Sequence, residues 1–254
     1  MAFRAVDPAG IIRLAVNSGL QAIEWGGDVH VPQGDFDRAR KVRQLTADAG
    51  IETVSYGSYW RAGVSSGFDE VVKTASALGA PLVRVWAGAT DGRRAQPDIR
   101  AAVIAELRQA ADIAQDHGIR LSLEFHDDTL ACTGLLTRIL LEEVAHAALR
   151  CHWQPPLGES DEVCRDSLRL VQPWLTHLHV FHWWPTACDK KPLALGADRW
   201  QSFLSEIAND GFRRATLLEF LPDGNPASLA GESAALHAIL SSAEDQALGP
   251  GKSA

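Results

Sequence analysis

The stretch Gly118-Ile119-Arg120-Leu121-Ser122-Leu123-Glu124-Phe125-His126 carries two signals that together decide the fold. A glycine suits the left-handed position that closes a helix, so Gly118 ends the amphipathic run before it. In the strand that follows, Leu121, Leu123 and Phe125 share one face while Ser122, Glu124 and His126 share the other. The same unit recurs at Gly19 before residues 20–25, Gly50 before 51–56, Gly79 before 81–86 and Gly211 before 216–221. Two further strands are expected at 149–155 and 177–183, each after a helical segment (135–147 and 161–170), and a short opening strand near Ala2 to Arg4 brings the count to eight. Strands alternating with helices pair in parallel, because a parallel neighbour needs a crossover. Eight such units predict a single-domain α/β fold, a (β/α)8 TIM barrel over residues 1–240, with a flexible tail at 241–254 rich in Ala, Gly and Ser. A doubly wound open sheet is the competing architecture, and no G-x-G-x-x-G follows any strand.

Composition excludes several function classes. The chain has 254 residues, about one barrel, and 24 basic against 32 acidic side chains give a net charge of -8, so polyanions are poor partners. Its basic clusters are short and lack interleaved aromatics, which argues against a nucleic-acid partner. No signal peptide or long apolar span is evident, so no membrane partner is expected; Cys132, Cys151, Cys164 and Cys188 show no paired spacing and read as free thiols of a cytoplasmic protein. A homodimer is the default assembly.

The parity seen around Glu124 repeats elsewhere. His152/Gln154 alternate with Cys151/Trp153, His177/His179 with Leu178/Val180, Arg84/Trp86 with Val83/Val85, and Glu219 with Leu218/Phe220. In a barrel the outward face packs on helices and the inward face opens, at the carboxyl ends of the strands, onto the site. These polar residues all lie toward those ends. Burying them without partners would cost several kcal/mol each, roughly, so they pair with one another or share a cation. Carboxylates, an amide oxygen and an imidazole suit manganese, magnesium, cobalt or zinc. The competing reading of Glu124 and Glu219 is a structural ion pair, for example with Arg84. His30, in the loop after the residue 20–25 strand, together with Arg84, His126 and His152, is expected at the substrate. Tyr56, Trp86 and Trp183 belong to a crowd of aromatics at strand ends suited to the apolar face of a sugar, although any one of them alone is more often a packing residue. His182 has the parity opposite to His179 and is equally well placed behind the strand.

Taken together, these residues resemble the xylose isomerase-like barrels of the sugar phosphate isomerase/epimerase family, from Gly19-Leu20-Gln21-Ala22-Ile23-Glu24-Trp25 to Leu217-Leu218-Glu219-Phe220. The resemblance implies a divalent metal held by Glu124, the sixth-strand position Gln154, His179 of the H-x-H pattern and Glu219. It implies, too, a small sugar-like substrate and proton transfer by Glu124 and Glu219. Two departures stand out. Gln154 occupies the place of an Asp, which leaves two negative charges where the family has three, and Phe181-His182 replaces the family's Lys-Asp after H-x-H. With no glycine-rich anion cradle near the last strands, an unphosphorylated sugar, keto-sugar or cyclitol is expected. An isomerase or epimerase is the leading reading, followed by a lyase or dehydratase on a similar substrate and a non-catalytic sugar-binding or partner subunit. A repair endonuclease of the same barrel type ranks last, because the chain lacks a basic face.

Overall fold

The Asp7 carboxylate accepts a hydrogen bond from the Gly10 N–H and Pro8 fills the first turn, so α1 (Pro8–Asn17) begins there; both residues relieve the unpaired donors that a helix start leaves open. In the computed structural model, which describes residues 3–208 and 210–248 (side chains through 243, without 209), there follow β1 (Ala22–Gly26), α2 (Phe36–Asp48), β2 (Glu52–Arg61), α3 (Phe68–Leu78), β3 (Leu82–Trp86), α4 (Pro97–Asp116), β4 (Arg120–Glu124), α5 (Gly134–Val144), β5 (Leu149–Trp153), α6 (Asp161–Val171) and β6 (Leu175–Val180). A short antiparallel ribbon, β7 (His182–Trp183) with β8 (Lys190–Lys191), precedes α7 (Ala197–Ser205), β9 (Ala215–Leu218) and α8 (Leu229–Leu248). The glycines at 19, 50, 79, 118 and 211 all have φ between 68° and 77°, the left-handed backbone expected of them.

Seven strands form one all-parallel sheet in the order β1-β2-β3-β4-β5-β6-β9. It curls into a nearly closed barrel: Cα atoms of β1 and β9 approach within 8 Å, although no ladder joins them. The outward faces carry the core. Leu121, Leu123, Val83 and Val85 are fully buried, and Trp153 packs edge-on against Trp200 and Phe203 at ring separations of 6.0 and 5.5 Å while its Nε1 donates to Ser167 Oγ. Each such large apolar side chain contributes on the order of 2 kcal/mol.

Three expectations change. Of the opening strand expected near Ala2 to Arg4, Ala2 lies outside the described residues, and the rest is a turn: the Val6 N–H donates to Phe3 O and the Arg4 guanidinium pairs with Asp28. Among the described residues the sheet has seven strands and nothing pairs with the outer edges of β1 and β9, which leaves a seam there. The strand expected over 177–183 is divided between β6 and β7, because Phe181 breaks away and His182 joins the antiparallel ribbon. Of the tail expected over 241–254, residues 241–248 continue α8, with Ala243 buried, and residues 249–254 lie outside the described residues.

Candidate functional site

Parity and register bring the polar residues to one point. Parallel ladders set Arg84 beside Ser122, Glu124 beside His152 and His152 beside His177. Glu219 follows the last residue of β9, its N–H donating to Val180 O, which carries its carboxylate in beside His179.

The centre of the arrangement is His179, 1% exposed. Its Nδ1 has Glu219 Oε2 at 3.4 Å, Gln154 Oε1 at 3.4 Å and Glu124 Oε1 at 3.7 Å, and on the other side of the ring Nε2 faces Glu24 Oε1 at 3.7 Å. Gln154 is aimed by its own amide, since Nε2 donates to Phe125 O at 2.7 Å and leaves Oε1 turned to the imidazole. Glu124 is pinned: Arg84 donates to Oε1 at 2.8 Å and the Trp86 indole N–H donates to Oε2. Glu219, by contrast, keeps Oε2 buried with no hydrogen-bond partner.

Electrostatics follow from this crowding. Burial alone would drive the Glu24 carboxyl up, but the Arg84 guanidinium and the His152 and His179 rings outweigh it and hold Glu24 well below the ordinary carboxylate range. Burial opposes a charge on His179 too, yet Glu219, Glu24 and Glu124 raise it to about 9. Glu219 moves upward, from burial and the neighbouring Glu124 and Glu24 charges, against the pull of His179 and Arg84. His152 falls to about 3 because burial outweighs Glu24. Its Nδ1 sits 2.5 Å from Ser122 Oγ and its Nε2 3.3 Å from Glu24 Oε2.

Does the donor set fit a divalent ion? Two ligands each about 2.1 Å from a cation, at octahedral or tetrahedral angles, stand roughly 3.0 to 3.4 Å apart. The separations around Nδ1 lie at or just above that range, and the donor atoms of Glu124, His179 and Glu219 all fall within 4.8 Å of one another. The orphaned Glu219 oxygen is a buried donor awaiting a partner. Glu24 against Nε2 supplies the outer carboxylate that orients a ligating imidazole. The set fits. A second group, Glu24, His152 and His179, satisfies the same spacing, but Arg84 and His179 already offset the charge on Glu24 and His152 lies against its other oxygen, which suits it to the supporting role.

All four expected ligands thus converge. Trp86, whose indole N–H reaches Glu124, is stacked on His126 at 4.7 Å and covered on its ring by the Arg61 guanidinium at 3.5 Å, while Trp183 packs at 4.4 Å on Phe220, the residue after Glu219. Other expected substrate contacts lie elsewhere. His30 is buried and its Nε2 lies 3.1 Å from both Phe3 O and Val6 O, so it ties down the segment before α1. Tyr56 pairs in register with Trp25 and donates to Val31 O at 3.0 Å, which places it in the packing layer. His152 lies beneath the cluster, bonded as described, and Arg84 is a buried counter-ion of Glu124 and Glu24 instead of a free contact. His182 packs on Gly196, where a Cβ would come within 2.4 Å of its ring.

The sequence reading missed Glu24. The signal was there: in Ala22-Ile23-Glu24-Trp25-Gly26 the glutamate alternates with a buried tryptophan, the same parity that singled out Glu124. Gly57 was missed as well; a Cβ there would lie 2.9 Å from the Arg84 guanidinium and 3.1 Å from Glu24 Oε1, so the close approach of that ion pair requires a glycine.

A parallel barrel with a carboxylate–imidazole cluster at the carboxyl ends of its strands defines the class. The chain belongs to the xylose isomerase-like TIM barrel family, whose model matches residues 12–239. A 3-dehydroshikimate dehydratase of Bacillus anthracis is 22% identical over 179 residues, 66% of this chain and 64% of that protein's length. Among solved structures, a xylose isomerase-like TIM barrel protein from Mycobacterium smegmatis in complex with magnesium has TM-score 0.72 and 18% identity, covering 93% of this chain and 89% of that one. The D-psicose 3-epimerase of Clostridium cellulolyticum H10 with D-tagatose has TM-score 0.76 and 14% identity, over 94% and 95%. At these identities the structures establish the shared fold. Among the described residues no helix is long and apolar enough to cross a membrane.

Proposed function

We propose that the protein is a divalent-metal enzyme that moves a proton on a carbon next to a carbonyl of a small sugar-like substrate. The observation that carries this reading is the convergence of Glu219, Gln154 and Glu124 oxygens on one nitrogen of His179. Manganese, magnesium, cobalt or zinc would be held by Glu124, Gln154, His179 and Glu219, and when bound would polarise the carbonyl and draw off the charge that develops on its oxygen.

The two glutamates are unequal, and their inequality assigns roles. Glu124, fixed by Arg84 and Trp86, holds its carboxylate in one orientation. Glu219 carries no hydrogen bond like those that pin Glu124, so it is the freer of the two carboxylates and accepts the carbon-bound proton on the oxygen the metal would leave open. Epimerisation or isomerisation through an enediolate is completed when Glu124, having taken a proton from solvent, delivers it to the opposite face or to the neighbouring carbon, after which Glu219 gives up its proton to solvent.

A second reading is favoured by the dehydratase among the relatives: the same proton removal followed by departure of the β-hydroxyl as water. Proton NMR in deuterated water separates them. Isomerisation gives solvent deuterium at carbon with the hydroxyl count unchanged, whereas elimination gives a vinylic signal and loss of one hydroxyl. No deuterium incorporation and no elimination, for keto-sugars and cyclitol ketones alike in the presence of manganese, would reject both.

A further inference from the structure

From Gly57 to Arg61, β2 takes four steps while β3 takes two, from Arg84 to Trp86, so β2 bulges there. A bulge re-aims the side chains beside it; this one sets Arg61 in register with Trp86 at the carboxyl ends of the strands. The Arg61 guanidinium lies over the indole ring at 3.5 Å, and the N–H of that indole reaches Glu124. One indole width therefore separates a fixed positive charge from the carboxylate–imidazole cluster. That charge is poorly matched. Arg61 is half-buried, its Nη1 donates to Gly88 O at 3.0 Å, and the edge formed by Nε and Nη2 has no partner among the described residues. Burial opposes the charge on Arg84 as well, yet Glu124, Glu24 and Glu219 more than restore it; at Arg61 burial outweighs Glu124 and Asp128, and the proton affinity falls. An open guanidinium edge with two parallel N–H donors matches a planar carboxylate bound side-on. A doubly charged phosphate would set its second charge against Glu124 and Asp128.

We infer that Arg61 determines specificity by binding a carboxylate of the substrate, whose hydroxyl and carbonyl oxygens lie at Glu124, His179 and Glu219. The inference rests on that cluster being the reacting end, as proposed above. It makes the substrate a sugar acid or a keto-ring acid in place of a neutral sugar. The carboxylate then lies across the molecule from the oxygens at the cluster, because the indole of Trp86 stands between the two binding points.

Two probes that differ in charge test this: cis-3,4-dihydroxycyclohexanecarboxylate and its carboxamide, each with a vicinal diol for the metal. In calorimetric titrations of wild type with magnesium, the carboxylate is expected to bind about tenfold or more tightly than the carboxamide. It is also expected to shift the Arg61 Nε–H resonance, which the carboxamide leaves in place. Arg61→Gln keeps an amide donor without the charge and is expected to bind both probes alike, whereas Arg61→Lys keeps the charge and is expected to retain part of the preference. An arginine with a structural role alone predicts no such split between the probes. Equal affinities in wild type, binding of neither probe, an Nε–H resonance unmoved by the carboxylate, or a preference that survives in Arg61→Gln would each overturn the inference. Metal binding is read separately by manganese titration, and the probe ratio is also taken in chelator-stripped protein. A chain that holds no metal but keeps an Arg61-dependent preference would reject the proposed function and leave Arg61 as a carboxylate receptor.

Discussion

Replacing Arg84 by methionine removes the one guanidinium buried among Glu24, Glu124 and Glu219. It lies 2.8 Å from Glu124 and 3.5 Å from Glu24, with its side chain only 8% exposed. Breaking a buried pair by deleting one partner costs about 3–5 kcal/mol. At roughly 2–4 °C per kcal/mol for a chain of this size, the metal-free variant is expected to melt about 6–20 °C below wild type at pH 7. The sign of the pH dependence follows from Glu24. Its folded proton affinity is depressed, so it contributes stability above the unfolded carboxylate value near 4.3 that is lost as pH falls through its lower folded value. Arg84 is a principal cause of that depression, so the gap between wild type and variant narrows below about pH 4. Calorimetry of metal-free proteins across pH 3–8 provides the test. An Arg84→Met protein as stable as wild type at neutral pH, or a gap that widens in acid, would refute the reasoning that Arg84 offsets the buried charge of Glu24 and Glu124.

His179 is raised to about 9, so its charged form stabilises the metal-free protein fully below about pH 6.5 and that contribution disappears as pH rises through 9; since a ligating imidazole must be neutral, manganese affinity measured by titration calorimetry should tighten about tenfold per pH unit from 6.5 and level off above 9. Gln154→Glu, which keeps the side-chain length, puts a charged oxygen where Oε1 faces His179 and should tighten manganese binding on the order of tenfold or more, measured by competition with a chelator. Gly57→Ala should push the Arg84 guanidinium and Glu24 apart and cost about 1–3 kcal/mol by denaturant unfolding.

Alternation within strands carried most of what could be read in advance. Glu124, His179, Arg84 and Trp86 each alternate with residues buried against helices, and the barrel delivers such positions to one interior. Glu24 obeys the same rule, but as the single charged residue of β1 it has no second polar neighbour in its own strand to make the pattern visible. Tyr56 and His30 were misplaced for different reasons. The face Tyr56 takes is decided by its register with Trp25, which only pairing reveals, and His30 lies in a loop whose path depends on bonds to Phe3 and Val6. The seam was equally hidden, because a turn over Phe3 to Val6 and a short strand look alike over so few residues.

The most direct test is manganese titration of chelator-stripped protein, followed by electron paramagnetic resonance and elemental analysis. One ion per chain should bind to wild type, with affinity reduced at least a hundredfold in Glu219→Gln and in His179→Ala, and with fold retained in both. Wild-type protein that stays free of divalent metal, or that binds it equally well after either substitution, would contradict the assignment of His179, Glu219, Glu124 and Gln154 as a metal site.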